Sequence, residues 1–295
     1  MQFAQQLING LVIGTIYSLI ALGYTMVFGI LGFINFAHGE VYMMGAFLGL
    51  VLLSTGIFNF WTAMAGTMIL TAIMGVFIDQ AIYRPVRRFG KGFDDALLVS
   101  AIGVSIFLQT LVQVFWGTET HPMGVAVGKS VYSVGGLSIS GLQVLIFVLS
   151  AALMFLLHLF ATKTVTGTAM RATSQDLAAA RLMGISVNRV IATTFAIGSI
   201  LAAAGGMLVG AYFDAVYPLM GYTAGIKAFT AAVLGGIGSI PGAMLGGVLI
   251  GVTETLGAAY ISSAFRDGFA FVILILTLLL LPSGLFRVKG GEGKV

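Results

Sequence analysis

Leu7-Ile-Asn-Gly-Leu-Val-Ile-Gly-Thr-Ile-Tyr-Ser-Leu-Ile-Ala-Leu-Gly-Tyr-Thr-Met-Val-Phe28 passes without a single charge. A helix that crosses a bilayer needs about 20 mostly apolar residues, because the hydrocarbon is about 30 Å thick and each residue rises about 1.5 Å. The stretch 7–28 meets that requirement alone. The rest of the chain agrees: of 295 residues, 59% are apolar and only 8% charged, whereas about a quarter are charged in a soluble domain that must hydrate its surface. A polytopic membrane protein follows. The absence of cysteine excludes disulfide scaffolds, thiol enzymes and cysteine-ligated metal sites. The formal charge of +4 comes from 14 Lys and Arg gathered in a few clusters, so it reports topology and not a nucleic-acid partner.

Outward from 7–28, further spans are expected at 41–58, 61–83, 96–115, 141–161, 190–212 and 268–286. The region 226–260 is apolar but broken at Gly238-Ser239-Ile240-Pro241-Gly242, where Pro removes a backbone donor and Gly lowers the cost of unwinding. The piece before the break is too short to cross, so a half-helix dipping into the membrane and then a full span fit the lengths. Irregular backbone at membrane depth is tolerated only where protein or water covers it. The stretch 29–39 is expected to form a second dip. The fold class is therefore an all-α polytopic membrane protein, a bundle of about eight to nine transmembrane segments with one or two re-entrant half-helices, in one membrane-embedded domain over 1–295.

Orientation follows from the cations. Arg84, Arg87, Arg88 and Lys91 form one cluster, Lys163, Arg171, Arg181 and Arg189 a second, and Arg287, Lys289 and Lys294 a third; the positive-inside rule makes all three cytoplasmic. Three spans precede Arg84, which puts the N-terminus outside, and the lack of a basic leader argues against a cleaved signal peptide. Small residues spaced by four, Gly10 and Gly14, Gly45 and Gly49, Gly206 and Gly210, Gly242 and Gly246, Gly247 and Gly251, are expected as helix-packing faces. Gly124-Val-Ala-Val-Gly128-Lys129-Ser130 is one residue short of a phosphate-binding loop, and Pro241 stands where a dinucleotide fingerprint needs its third Gly. His38, His121 and His158 have no metal-ligand spacing. No catalytic, cofactor or metal site is expected.

The stretch 162–190, Thr-Lys-Thr-Val-Thr-Gly-Thr-Ala-Met-Arg-Ala-Thr-Ser-Gln-Asp-Leu-Ala-Ala-Ala-Arg-Leu-Met-Gly-Ile-Ser-Val-Asn-Arg-Val, is too polar to cross. From Ser174 onward a short helix is expected, with Asp176 in its first turn and Gly184 after its last. Leu177, Ala180, Arg181 and Gly184 fall at helical spacing, a face that suits either a groove on a partner protein or a plain surface helix joining two spans.

This loop resembles the coupling segment of ABC importer permeases, with Arg171-Ala172, Asp176, Ala179-Ala180 and Gly184-Ile185 falling where that family has its Arg-Ala, acidic residue, small pair and Gly-Ile. Asn9-Gly10-Leu11, Gly14, Tyr17, Leu19, Ala21-Leu22-Gly23, Phe28-Gly29 and Asn35-Phe36-Ala37-His38-Gly39 resemble the opening of the branched-chain amino acid permeases, in the shorter of their two subunits. Leu234-Gly235-Gly236-Ile237-Gly238-Ser239-Ile240-Pro241-Gly242-Ala243 resembles the same family's Gly-Pro-Gly signature. One departure is Arg181, where the family leads one to expect a small or apolar residue. The resemblance implies a permease subunit of the bacterial cytoplasmic membrane that forms a pathway for branched-chain amino acids or a related small polar substrate. It also implies as partners a second related permease, two cytoplasmic ATPase subunits docking at Arg171, Asp176, Leu177, Ala180, Arg181 and Gly184, and an extracytoplasmic binding protein.

Pathway candidates are the polar and broken positions inside the bundle. Glu254 either serves the pathway, lies near the membrane surface or pairs with Lys227. Asn35, His38 and Glu40 either contact substrate or satisfy unwound backbone. Gly238, Pro241 and Gly242 form the wall of the dip, whose helix end can present backbone dipoles to a zwitterion. The alternative from another class is a self-sufficient proton-coupled transporter using Glu254 or the His38 and Glu40 pair as its relay.

Overall fold

The structure is a computed structural model that describes residues 2–88, 94–125, 127–128, 130–134 and 136–286. Of the cations used for orientation, Lys91, Arg287, Lys289 and Lys294 lie outside the described residues, as does Lys129.

The first helix, α1 (Gln2–Leu31), is longer than its apolar run requires. It stops at Gly32, whose φ of 73° ends the helical path. After a turn comes α2 (His38–Ser54). The expected dip over 29–39 is therefore a connector that splits between the end of α1 and the start of α2, with no helix of its own. Asn59 opens α3 (Phe60–Ile78) by accepting the Thr62 amide at 3.0 Å. A π-helical turn over Asp79–Tyr83 carries α3 into the short α4 (Arg84–Arg87). α5 (Asp94–Trp116) follows. The all-α expectation misses one feature, an antiparallel hairpin of β1 (Val131–Val134) and β2 (Leu137–Ser140) that pairs Val131 with Ser140. Ser140 and Gln143 then form a reciprocal capping box for α6 (Gly141–Lys163).

The polar loop contains α7 (Val165–Gln175) and α8 (Leu177–Leu182). After it come α9 (Val187–Phe213), α10 (Met220–Gly235), α11 (Ile240–Tyr260) and α12 (Arg266–Leu280). The last span, expected over 268–286, ends at Leu280 because Pro282 disfavours helical backbone in the residue before it. Among the described residues, seven helices are long and apolar enough to cross a membrane, with α2 a shorter apolar helix beside them.

Helix α1 and helix α9 form the centre: 89% and 72% of their apolar windows are buried inside the protein, against 28% for α5 and α6 and 11% for the last span. The outer helices instead present side chains such as Phe107, Phe155 and Leu279 to the surroundings, as hydrocarbon permits. Nine of the ten glycines in the five small-residue pairs face another helix, while Gly210 faces Met123 and Val216 of connecting segments. A Cβ on Gly14 would stand 2.7 Å from the Val248 Cα, and one on Gly10 2.8 Å from the Val252 Cα, so α1 and α11 touch backbone to backbone. Ser18 locks this seam by donating to the Met244 carbonyl at 2.6 Å. Gly45 and Gly206 bring α2 onto α9 in the same way, while Met123 fills the space left by Gly49 and Gly210.

Candidate functional site

The break between α10 and α11 is made by glycine and not by Pro241. Gly236 and Gly238 take φ values of 99° and 94°, a region closed to most L-residues. Pro241 sits inside the first turn of α11, where its missing amide costs nothing. Ser239 caps that turn, its Oγ accepting the Gly242 amide at 3.1 Å. Gly242 lies directly on the backbone of Gly235, which holds the ends of the two helices together. The tail contributes what sequence reasoning missed: the amides of Leu285 and Phe286 donate to the carbonyls of Leu234 and Gly235 at 2.8 and 3.0 Å, satisfying acceptors that a helix C-terminus leaves open. The Gly29 end of α1 closes on Gly238 from the other side.

Asn35, His38 and Glu40 are all buried. Asn35 accepts the Tyr83 hydroxyl at 2.8 Å, tying the connector to the π-helical turn. The His38 imidazole lies edge-on to Tyr24, with ring centroids 4.9 Å apart, in the space that Gly23 leaves without a side chain. Glu40 receives a 3.4 Å bond from the Ser105 hydroxyl and faces Gly221 of α10; its Oε2 has no hydrogen-bond partner among the described residues. These three residues thus line the seam where α2 meets α1, α5 and α10. Asn35 satisfies its neighbours, whereas Glu40 keeps acceptor capacity inside the bundle.

Glu254, 1% exposed, is the hub of a second cluster. It accepts from Lys227 Nζ at 2.9 Å and from Arg266 Nε at 2.6 Å, and Lys227 also pairs with Asp267 at 2.7 Å. Lys227 lies 3.4 Å from the Tyr17 hydroxyl, and Arg266 stacks over Phe213. Of the alternatives for Glu254, the pair with Lys227 is present, extended by residues of the following helix. The charges bind α10, α11 and α12 together, as isolated charges at such a depth would be costly. Among the described residues no hydrogen bond or ion pair joins this cluster to Asn35, His38 or Glu40.

In the loop, Asp176 lies outside the helix expected to include it: it is the N-cap of α8, accepting the amides of Ala178 and Ala179 at 2.7 and 3.0 Å. Gly184, φ 82°, ends the turn as expected. Arg171 reaches back to the Ala161 carbonyl and to Thr168, so it fastens α7 to the end of α6. Of the residues expected on the docking face, Ala180 turns inward and is buried and Leu177 is half-buried. Leu182 and Met183, 88% and 82% exposed, project in their place. Arg181 lines a cavity with Arg84, Arg87 and Arg88.

A packed core of membrane-length helices, with its buried polar groups on the seams and a capped two-helix loop outside it, defines a multi-pass membrane protein. Residues 6–278 match the family described as branched-chain amino acid transport system / permease component, and the chain belongs to that family. It is similar to BraD of Pseudomonas aeruginosa, a high-affinity branched-chain amino acid transport system permease protein, at 46% identity over 297 residues, covering 96% of this chain and 95% of BraD. It is similar to LivH of Salmonella typhimurium, a permease protein of the same description, at 43% identity over 296 residues with the same coverages of 96% and 95%. Its fold is similar to PsaBC from Streptococcus pneumoniae in complex with Fab, with a TM-score of 0.53 and 14% identity over 96% of this chain and 93% of that one. The chain is a permease component of the bacterial cytoplasmic membrane.

Proposed function

We propose that this chain is the membrane subunit of an ATP-driven importer and forms, with a second related permease, a pathway for branched-chain amino acids or a related small polar substrate. Near full-length similarity to permeases of high-affinity branched-chain amino acid systems carries the reading. ATP hydrolysis belongs to two cytoplasmic ATPase subunits, and delivery to an extracytoplasmic binding protein. The loop 162–190 docks the ATPases through α8, supported by its capped, rigid geometry and the outward Leu182 and Met183. ATP-driven closure of the ATPases then pushes on α8 and rocks the spans, a two-state transmission that a close-packed bundle can carry. Glu40, His38, Asn35 and the turn Gly238, Pro241 and Gly242 border the path, with Glu254 fixing one wall.

Helix α10, 16 residues long, and α2 add an eighth and a ninth crossing to the seven longer helices, an odd number that leaves the tail on the side opposite the N-terminus, as its cations require. No observation favours the proton-coupled alternative. The test is reconstitution with the candidate ATPases, second permease and binding protein in liposomes. Leucine uptake should require ATP and all partners and should survive a protonophore; uptake by the chain alone that the protonophore abolishes would reject the proposal.

A further inference from the structure

Arg181 is the one position of the polar loop that departs from the family resemblance, and it does not project away from the protein. With Arg84, Arg87 and Arg88 it lines a cavity of about 440 Å³ whose fifth wall residue is Asn188. That volume is in the range of about 300–1,000 Å³ that holds small ligands. Four guanidinium groups thus share one concavity. Asp79 is the only acid paired with any of them among the described residues, at 2.7 Å from Arg87 Nη1. Arg87 Nη2 and Arg84 Nε are buried without a hydrogen-bond acceptor among the described residues. Guanidinium forks match phosphate oxygens two at a time, so the cavity has both the charge and the donors for a phosphate-bearing anion.

Its position selects the source. Arg84 and Arg87 close the span Phe60–Arg87, and Asn188 stands in the first turn of the span Val187–Phe213. The cavity therefore opens where two spans leave the hydrocarbon, at the level of lipid headgroups and on the face rich in cations. The geometry points to a binding site for the headgroup phosphate of an anionic phospholipid, held between the end of α4 and α8. Basic pockets between spans on the cytoplasmic side take such headgroups. A lipid seated there braces α8 from the membrane side and makes the loop sensitive to the charge of the surrounding bilayer.

The test uses the full chain purified in a mild non-ionic detergent and titrated with dioctanoyl phosphatidylglycerol or dioctanoyl phosphatidylcholine, with bound lipid read by native mass spectrometry. Phosphatidylglycerol should bind about tenfold or more tightly than phosphatidylcholine, and Arg88→Gln and Arg181→Gln should each weaken it severalfold, at about 1 kcal/mol per cation. Both positions are exposed, so neither change should unfold the chain. Arg189→Gln, outside the cavity, should bind as the native chain does. Equal binding of the two lipids, or equal weakening by Arg189→Gln, would overturn the site as diffuse charge attraction. Displacement of the lipid by millimolar inorganic phosphate would assign the cavity to a free anion and overturn the lipid. Weakened ATPase association in Arg88→Gln with lipid binding intact would assign it to a protein carboxylate and overturn it likewise.

Discussion

Glu254 carries its carboxylate where water does not reach, and two cations share it. Removing one member of a buried ion pair costs about 3–5 kcal/mol, because the partner is left charged and uncompensated. Glu254→Ala leaves Lys227, among the described residues, with Asp267, itself 62% exposed, as its one acidic partner beside the Tyr17 hydroxyl, and leaves Arg266 without its 2.6 Å acceptor. The variant is expected to lose about 3–5 kcal/mol of unfolding free energy in a denaturant titration in detergent. Lys227→Met should cost less, since Arg266 still neutralises the carboxylate; equal losses would show that Arg266 contributes nothing. The sequence makes Lys227 one candidate partner of Glu254 but hides Arg266 and Asp267, which come near only because the chain turns at Ser263–Phe265. Asp79 shows the same blindness at short range. Arg84 is nearer to it in sequence, yet it pairs with Arg87. An inserted π-helical residue makes a separation of eight behave as about seven, two full α-helical turns, which returns Arg87 to the face of Asp79.

Between α10 and α11 the elements divide the labour differently from what the sequence suggests. Because Gly236 and Gly238 bend the chain and Pro241 lies in a helical first turn, Pro241→Ala is expected to keep the break and change stability by less than about 1 kcal/mol. Gly242→Leu is expected to abolish leucine uptake while membrane insertion stays near normal, since any Cβ there meets the Gly235 backbone and overpacking costs about 1–3 kcal/mol or more. Normal uptake by Gly242→Leu would remove the break from the pathway. In the loop, Asp176→Ala deletes a cap worth about 1 kcal/mol. Gly184→Val forces a β-branched residue to positive φ, although open space surrounds the position. Both should leave ATP hydrolysis by the assembled importer running with reduced uptake, measured as the ratio of phosphate released to leucine accumulated. Gly184→Asn, which tolerates that backbone better, should retain coupling. The stop of α8 was legible from Gly184, whose chemistry is local, but its start was not: the helix expected from Ser174 begins only after Asp176, which caps it. Nor was the face: Ala180 is buried and Leu182 exposed because of how α8 packs on α7 and α9.

For the whole molecule, the charge-free runs foretold the seven membrane-length helices, with ends off by up to about six residues, because bilayer thickness acts on each run separately. Which helices stand at the centre was not legible, since α6 reads as the more apolar run and yet α1 is the one enclosed. The orientation gives its own test in a chain without cysteine: Cys in place of Gln2 or Tyr132 should react with an impermeant maleimide on intact spheroplasts, and Cys in place of Gln175 only after lysis. Labelling of position 175 from outside would invert the topology. The glycine seam of α1 and α11 also has a consequence in time. The ribosome releases α1 first, yet the surface that encloses it comes from Gly247 and Gly251, more than two hundred residues later. Until then the first helix must wait in lipid with its glycine face bare, so nascent chains cut short before α11 should be cleared by membrane proteases, however well their earlier spans have inserted.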